Sequence, residues 1–477
     1  MQTLIKNSTL VTASETFVAD LLLADGRIAL IGRDLPAGGA HVVDGTGLFT
    51  LPGAIDVHTH LELPFGGTTS SDDFYSGHKA AAFGGTTFHI DFAMQAKGER
   101  LRDAVDRWNK KAADKAVLDY GYHLGITDLN DAVLAEIPVM GKAGLPSLKL
   151  FMAYKGNLQV DDTTLFKTML TAAEHGLLVM VHAENGDAID VLVKQALAAG
   201  HTSAEWHALT RPDWCEGEAT QRAVALAAVA GAPLYVVHVT CAKAAAAIAA
   251  GRAQGVKVMG ETCVQYFHFS VDNLRQADGS KFVCSPPVRT AADQAALWEA
   301  VRTGALQHIS TDHCPFLFDG TRPIMYEGQP FQLPGKELGA GDFSKIPNGL
   351  PVIGDRMPIL WSYGVGKGHL SLNQLVALAC TNPAKIFGLY PQKGTLAVGA
   401  DADVVIWDPH KQATWGVAAA HQRTDYNLFE GWPVTGLPVK VYRRGELLAE
   451  RTEGGDLWHG RAGTGKWTPR ATHAPVL

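Results

Sequence analysis

Charge of either sign is sparse in this 477-residue chain, at 19% Asp, Glu, Lys and Arg, and the formal net charge is −7. There is no basic footprint of the kind that grips a phosphate backbone or an anionic bilayer, so neither nucleic acid nor membrane is an expected partner. Cysteine is scarce as well. Cys215, Cys241, Cys263, Cys284, Cys314 and Cys380 are widely spread with no CxxC pair, which argues against a disulfide framework and for reduced thiols in a cytoplasm. No apolar run approaches 18 residues, and the opening MQTLIKNSTLVTASE has no long apolar core, so neither a membrane span nor a signal peptide is expected. What is plentiful is hydrophobic residues, at 47%. That suffices for a large core, more than one domain and a small molecule as the expected partner.

Three kinds of segment follow one another along the chain. Residues 1–52 read as short strands punctuated by Asp-Gly and Gly-rich turns (DLLLADGRIALIG, HVVDGTGLFTL), which look like half a β-sandwich. From 53 to 385, eight short apolar runs alternate with helical stretches: AIDVHTH, TTFHIDFA, LDYGYHLGIT, SLKLFMAY, LLVMVHAE, LYVVHVT, VKVMGETC and QHISTDH. Eight βα units point to a parallel (β/α)8 barrel. Residues 386–450 return to strand patterns, KGTLAVGADADVVIWDP and PVKVYRRGELL, expected to complete the sandwich. The polar, Gly/Thr/Arg-rich stretch 451–477 reads as an arm rather than a domain.

Barrel enzymes gather their chemistry at the C-terminal ends of the strands. There this sequence places His58 and His60 after the first strand, Lys149 in the fourth, His182 after the fifth, His238 after the sixth and Asp312 after the eighth. In a strand the two-residue spacing aims both imidazoles of HTH to one side, as two ligands of one metal require. One such histidine would most simply be a hydrogen-bonded core residue. Five nitrogen or oxygen ligands at matching strand ends favour a metal. Lys149 is the odd member, because an ammonium would be repelled by cations. It snorkels to solvent, or its pKa is pushed far down, or it is carbamylated to an anion able to bridge two metals.

The phrases DVHTH, SLKLFMAYKG, VHAEN, VVHVT, SPPVR, STDHCP and FSKIPNGLP resemble the dihydropyrimidinases and D-hydantoinases, cyclic amide hydrolases of the amidohydrolase superfamily, along essentially the whole chain. That resemblance implies two Zn²⁺ ions bridged by carboxylated Lys149 and a hydroxide. One ion would be held by His58, His60, Lys149 and Asp312, the other by Lys149, His182 and His238. It implies Asp312 as the base and then the acid, Tyr154 as an oxyanion donor, and backbone groups at Ser285 and Asn348 holding the ring. Leu63 and Phe65, with Met152, would form the pocket for a ring substituent. The products would be N-carbamoyl amino acids from dihydrouracil, dihydrothymine or 5-substituted hydantoins, and the assembly a homotetramer with C-terminal tails reaching a neighbour.

Related rings and roles remain as alternatives. Dihydroorotases carry an arginine two residues after the second histidine to hold a carboxylate. Glu62 stands there and would repel an anion, which favours an uncharged ring. Allantoinase-like or other cyclic amidase chemistry on the same centre is one further possibility. Another is a non-catalytic scaffold like the collapsin response mediator proteins, though those have lost metal ligands and this chain keeps all six. Cys314 is expected to be a packed thiol, and His89, His123 and His313 to be structural or to support the ligands from behind, with Glu261 and Asp91 as candidate partners that orient the ligands.

Overall fold

The computed structural model describes residues 2–473. Eight parallel strands follow one another in sequence order around a nearly closed barrel: Ala54–Thr59, Thr86–Met94, Asp119–Gly125, Ser147–Phe151, Leu178–His182, Leu234–Val236, Val258–Cys263 and His308–Ser310. Each coincides with one of the eight apolar runs read from the sequence, the second extending one residue past it to Met94. Every residue of these strands is buried, because helices cover the outside and side chains fill the middle, so the strands lack polar alternation.

The connecting helices start and stop where local chemistry dictates. Asp161 caps Asp162–His175 by accepting from the Thr164 amide, and Gly176 ends it in the left-handed region at φ 64°. Thr290 and Asp293 form a capping box that starts Ala291–Arg302. Asn185, at the end of VHAEN, caps Gly186–Ala198 through the Ala188 amide, so only three residues separate the helix from the strand that carries His182.

The seam between the eighth strand and the first is closed by other means than a full ladder. At the C-terminal end, His60 N donates to His313 O (2.8 Å) and His313 N to His58 O (3.2 Å). Deeper in, the fully buried Arg356 donates through Nη1 to Ile55 O (2.8 Å) and Ile309 O (3.2 Å), one carbonyl from each strand, and through Nη2 to Thr86 Oγ1 (2.9 Å).

The chain ends build a separate nine-stranded, mainly antiparallel sheet. Phe49–Pro52 from the N-terminal part pairs with Val404–Trp407 from the C-terminal part, and Ile5, Leu21, Ile28, Val404, Ile406 and Tyr442 belong to its own smaller core. The sheet continues past residue 450, through Glu446–Thr452 and Gly455–Trp458. The GADAD stretch precedes its strand. Asp401 and Asp403 accept from buried Lys393 at 2.9 and 2.7 Å, with Asp119 from the barrel at 3.2 Å.

As far as residue 473 the C-terminal arm packs on its own barrel. The chain runs back across the N-terminal end of its own barrel: Tyr120 N donates to Lys466 O (3.0 Å), Thr468 N to Tyr120 O (2.8 Å), Arg470 N to Gly144 O (3.0 Å) and His473 N to Gly176 O (2.9 Å). Arg470 is 4% exposed and donates to Tyr122 O (2.6 Å) and Ser147 Oγ (2.7 Å) between strands. These backbone partners satisfy the segment's polar groups internally. Residues 474–477 lie outside the described part.

Candidate active site

At the C-terminal mouth of the barrel a cavity of about 410 Å³ collects His58, His60, Lys149, His182, His238 and Asp312, together with Tyr154, Ser285, Asn348, Leu63 and Phe65. The expected metal ligands, Tyr154, Ser285, Asn348, Leu63 and Phe65 therefore line one space. Asp312 Oδ1 lies 3.0 Å from His58 Nε2 and 3.1 Å from His60 Nε2, and these three side chains form a group able to hold one metal ion. Beside it, His182 Nδ1 faces His238 Nε2 at 2.9 Å, and the His58 and His238 ring centres are 5.3 Å apart. Tyr154, His238 and Asp312 all adopt positive φ, at 69°, 40° and 53°, conformations that cost non-glycine residues energy and cluster at functional sites.

Carboxylates behind the imidazoles fix which nitrogen faces inward. Glu261 Oε1 lies 2.5 Å from His58 Nδ1, and Glu184 Oε2 lies 2.7 Å from His182 Nε2. Burial raises both acids, but the adjacent imidazoles bring them below the usual range. They are anions that only accept, so the ring protons sit on those nitrogens, and His58 Nε2 and His182 Nδ1 present lone pairs to the centre. In the bare chain a lone pair and the Asp312 carboxylate then face each other, a contact that demands a positive charge. Burial opposes protonation of His58, yet Asp312 and Glu261 raise its pKa to about 9. Burial raises Asp312 too, but His58 and His60 hold it well below the carboxylate range.

Lys149 supplies the second demand for ligands. It is 1% exposed, its Nζ has no hydrogen-bond partner, and the Phe92 and Phe151 rings lie 5.3 and 5.1 Å away. Burial, only partly opposed by Asp312 and Glu261, lowers its pKa to about 7. Snorkelling is thereby excluded. What remains is a buried amine without a partner that loses its proton around neutral pH and is nucleophilic in that form. The imidazole, carboxylate and modifiable-lysine donors fit a pair of divalent cations.

The model of the Amidohydrolase family matches residues 49–448. The chain belongs to the amidohydrolase family. It is 50% identical to a D-hydantoinase from Geobacillus stearothermophilus over 100% of this chain and 98% of that one, and 38% identical to a dihydropyrimidinase from Rattus norvegicus over 99% and 90%. A crystal structure of dihydropyrimidinase from Brevibacillus agri superposes with a TM-score of 0.94 at 50% identity, covering 99% of this chain and 100% of that one.

Within this amidohydrolase, three sequence expectations change. Asp91 orients no ligand histidine. Its oxygens accept from Thr59 Oγ1 (3.0 Å), Leu61 N (2.8 Å) and Trp108 Nε1 (2.8 Å), which fixes the backbone after His60. Glu62 does not face the cavity, since Lys115 Nζ draws its carboxylate away at 2.7 Å. The mouth lacks an arginine at that position, but its neutrality does not come from Glu62. Met152 lies past the end of the fourth strand and borders a separate groove with Gln159 and Asp187. Phe151, Met94 and Leu158 complete the apolar wall in its place. Cys314, while packed at 4% exposure, also lines the cavity.

The other histidines are structural as expected. His123 bridges Ser147 Oγ and Val57 O, and His313 pairs with Asp72 at 3.0 Å. Glu184 was missed. Its signal was the polar pair Glu184-Asn185 two residues after a strand-end histidine, a carboxylate within reach of the ring and a helix cap next to it.

Proposed function

We propose that this amidohydrolase opens the cyclic amide bond of dihydropyrimidines and 5-substituted hydantoins, yielding N-carbamoyl amino acids, with two zinc ions held by His58, His60, Asp312, His182, His238 and carboxylated Lys149. The observation that carries the reading is the partnerless amine of Lys149 between two sets of inward-facing lone pairs, inside a cavity whose outer wall is apolar. The names of the relatives support the substrate class. When bound, the two metals would supply a hydroxide near neutral pH and polarise the scissile carbonyl.

The remaining work falls to side chains. Asp312, held ionised, accepts the proton of the attacking water and returns it to the departing ring nitrogen. The phenol of Tyr154 stays protonated because burial raises its pKa, so it can donate to the oxyanion. Backbone groups at Ser285 and Asn348 border the same cavity and hold the ring, while Leu63 and Phe65 contact the substituent. Their loop is a small hairpin, Pro64–Phe65 against Thr68–Thr69, and the Phe65 ring meets Tyr154 edge-on at 5.6 Å.

The test is a hydrolysis panel on zinc-loaded protein with dihydrouracil, 5-substituted hydantoins of each hand, allantoin and dihydroorotate, beside Lys149→Ala. Turnover of dihydrouracil or hydantoins that vanishes in Lys149→Ala is the expected result. Turnover of allantoin alone would transfer the centre to allantoinase-like chemistry, and absence of zinc after reconstitution with bicarbonate would overturn the metal reading. A homotetramer is part of the same proposal, resting on family resemblance and checked by sedimentation. A cytoplasmic location accords with six buried, unpaired cysteines, and among the described residues no helix is long and apolar enough to cross a membrane.

A further inference from the structure

We infer that Lys336 is a positioning residue that clamps together, from behind, the two backbone segments holding the substrate ring. The inference rests on the proposed reading of Ser285 and Asn348 as the positions on those segments that hold the ring. Lys336 opens the short helix Lys336–Gly339, belongs to no motif, and is 2% exposed. Its Nζ donates to Val283 O at 3.0 Å and to Pro347 O at 3.1 Å. Val283 lies two residues before Ser285, and Pro347 O belongs to the peptide that ends in the Asn348 amide. Ser285 and Asn348 line the cavity and Lys336 does not, so the lysine can act on the ring only through these two segments.

Both carbonyls depend on that donor. Val283 O also accepts from Gly349 N at 3.1 Å, so both of its lone pairs are filled and the two segments meet there. Pro347 O has no other donor among the described residues. A planar peptide turns as a unit, so a grip on Pro347 O fixes the plane through which the backbone reaches Asn348. On the cavity side Asn348 Nδ2 donates to Ser285 Oγ at 3.1 Å. At Gly349 a Cβ would lie 2.2 Å from Cys314 O, so only glycine brings the segment this close to the chain that follows Asp312. Burial lowers the Lys336 pKa to about 7, but ammonium or amine, Nζ keeps enough N–H groups for two carbonyls. A lysine buried against neutral carbonyls gains the fold little stability, and what it supplies is a fixed distance between the segments.

Lys336→Met keeps an unbranched stem and removes both the N–H groups and the charge to be desolvated, so the fold is expected to hold. On zinc-loaded full-length protein, kcat and KM for the best ring of the panel are measured beside zinc content and Tm. KM is expected to rise about tenfold, the worth of one hydrogen bond lost from the ring, with kcat within about twofold and zinc content unchanged. Lys336→Gln, whose amide keeps two N–H groups on a shorter stem, is expected to recover part of the loss.

A KM within about twofold of wild type, whether or not Tm falls, overturns the clamp, as does a loss confined to kcat or a loss of bound zinc. A glutamine variant no better than methionine assigns the effect to packing of the stem and overturns it too. If Lys336→Met does not fold, Lys336→Gln runs the same comparison, with a smaller rise in KM expected. Wild-type protein that binds zinc and opens none of the rings sinks the reading of the ring-holding segments and the clamp together. Wild-type turnover with an unmoved KM in the variant sinks the clamp alone.

Discussion

Replacing Lys149 by methionine is expected to stabilise the metal-free protein while abolishing hydrolysis. The unfolded chain holds the lysine proton up to about pH 10.5, whereas burial lowers the folded pKa to about 7. Between those values the unfolded state binds the extra proton, so stability rises with pH across that window, with the full penalty below about pH 7 and none above about 10.5. The fall corresponds to about 5 kcal/mol. Methionine occupies the same channel between Phe92 and Phe151 with no charge to desolvate, and its sulfur–ring contacts replace lysine–ring contacts of similar size. With an unfolding entropy of about 1 kcal/mol/K for a chain of this length, Tm should rise by about 5 °C at pH 6 and by less than about 1 °C at pH 10. Calorimetry on chelator-treated protein in buffer free of carbon dioxide reads both numbers. An equal change at the two pH values, or a lower Tm at pH 6, would refute the account of Lys149 as a buried cation held at a cost. The neutral amine that this cost produces is the form that reacts with carbon dioxide, so stability is given up where the chemistry needs it.

Glu184→Gln should weaken binding of the zinc held by His182 and His238 by about 10- to 100-fold while sparing the other ion, since the carboxylate sets the His182 tautomer; stepwise competition against a chelator measures both, and equal weakening of both ions would refute the assignment. Phe65→Ala should raise kcat/KM for aryl-substituted hydantoins relative to dihydrouracil, and an unchanged ratio would remove Phe65 from the substituent pocket. Arg356→Leu leaves two strand carbonyls and the Thr86 hydroxyl without their donor, at about 1–3 kcal/mol each. Relief of the buried charge offsets part of this, so Tm of the zinc-loaded protein should fall by about 3 °C. A Tm that stays level would mean the barrel seam does not depend on Arg356.

The barrel was legible because strands buried on both faces read as uninterrupted apolar runs, and eight of them recur with helices and glycine stops between. The ligands were legible because a polar residue at the end of such a run has few other reasons to be there. What escaped the sequence depends on partners far along the chain. Glu62 turns away because Lys115 stands behind it, and Asp91 serves a backbone amide and Trp108 instead of an imidazole. Met152 leaves the cavity because the fourth strand ends at Phe151 and the alternation ends with it. Lys336 belongs to no motif at all, and its place behind Ser285 and Asn348 exists only once the segments 283–285 and 347–348 fold together. The tail carries no apolar run or motif, so its docking by backbone bonds and by Arg470 on the barrel floor could not be read from composition.

The pairing of Phe49–Pro52 with Val404–Trp407 also sets a timetable for biosynthesis. At roughly 5–20 residues per second, a ribosome needs tens of seconds between making the first of these strands and the second. Throughout that interval the N-terminal hairpins present an open edge with nothing to pair against, an invitation to neighbouring nascent chains. The barrel floor is closed by residues 466–473, made well after the last barrel strand, His308–Ser310. Yield from an expression host should therefore depend on chaperone supply and growth temperature more than the stability of the finished protein would suggest.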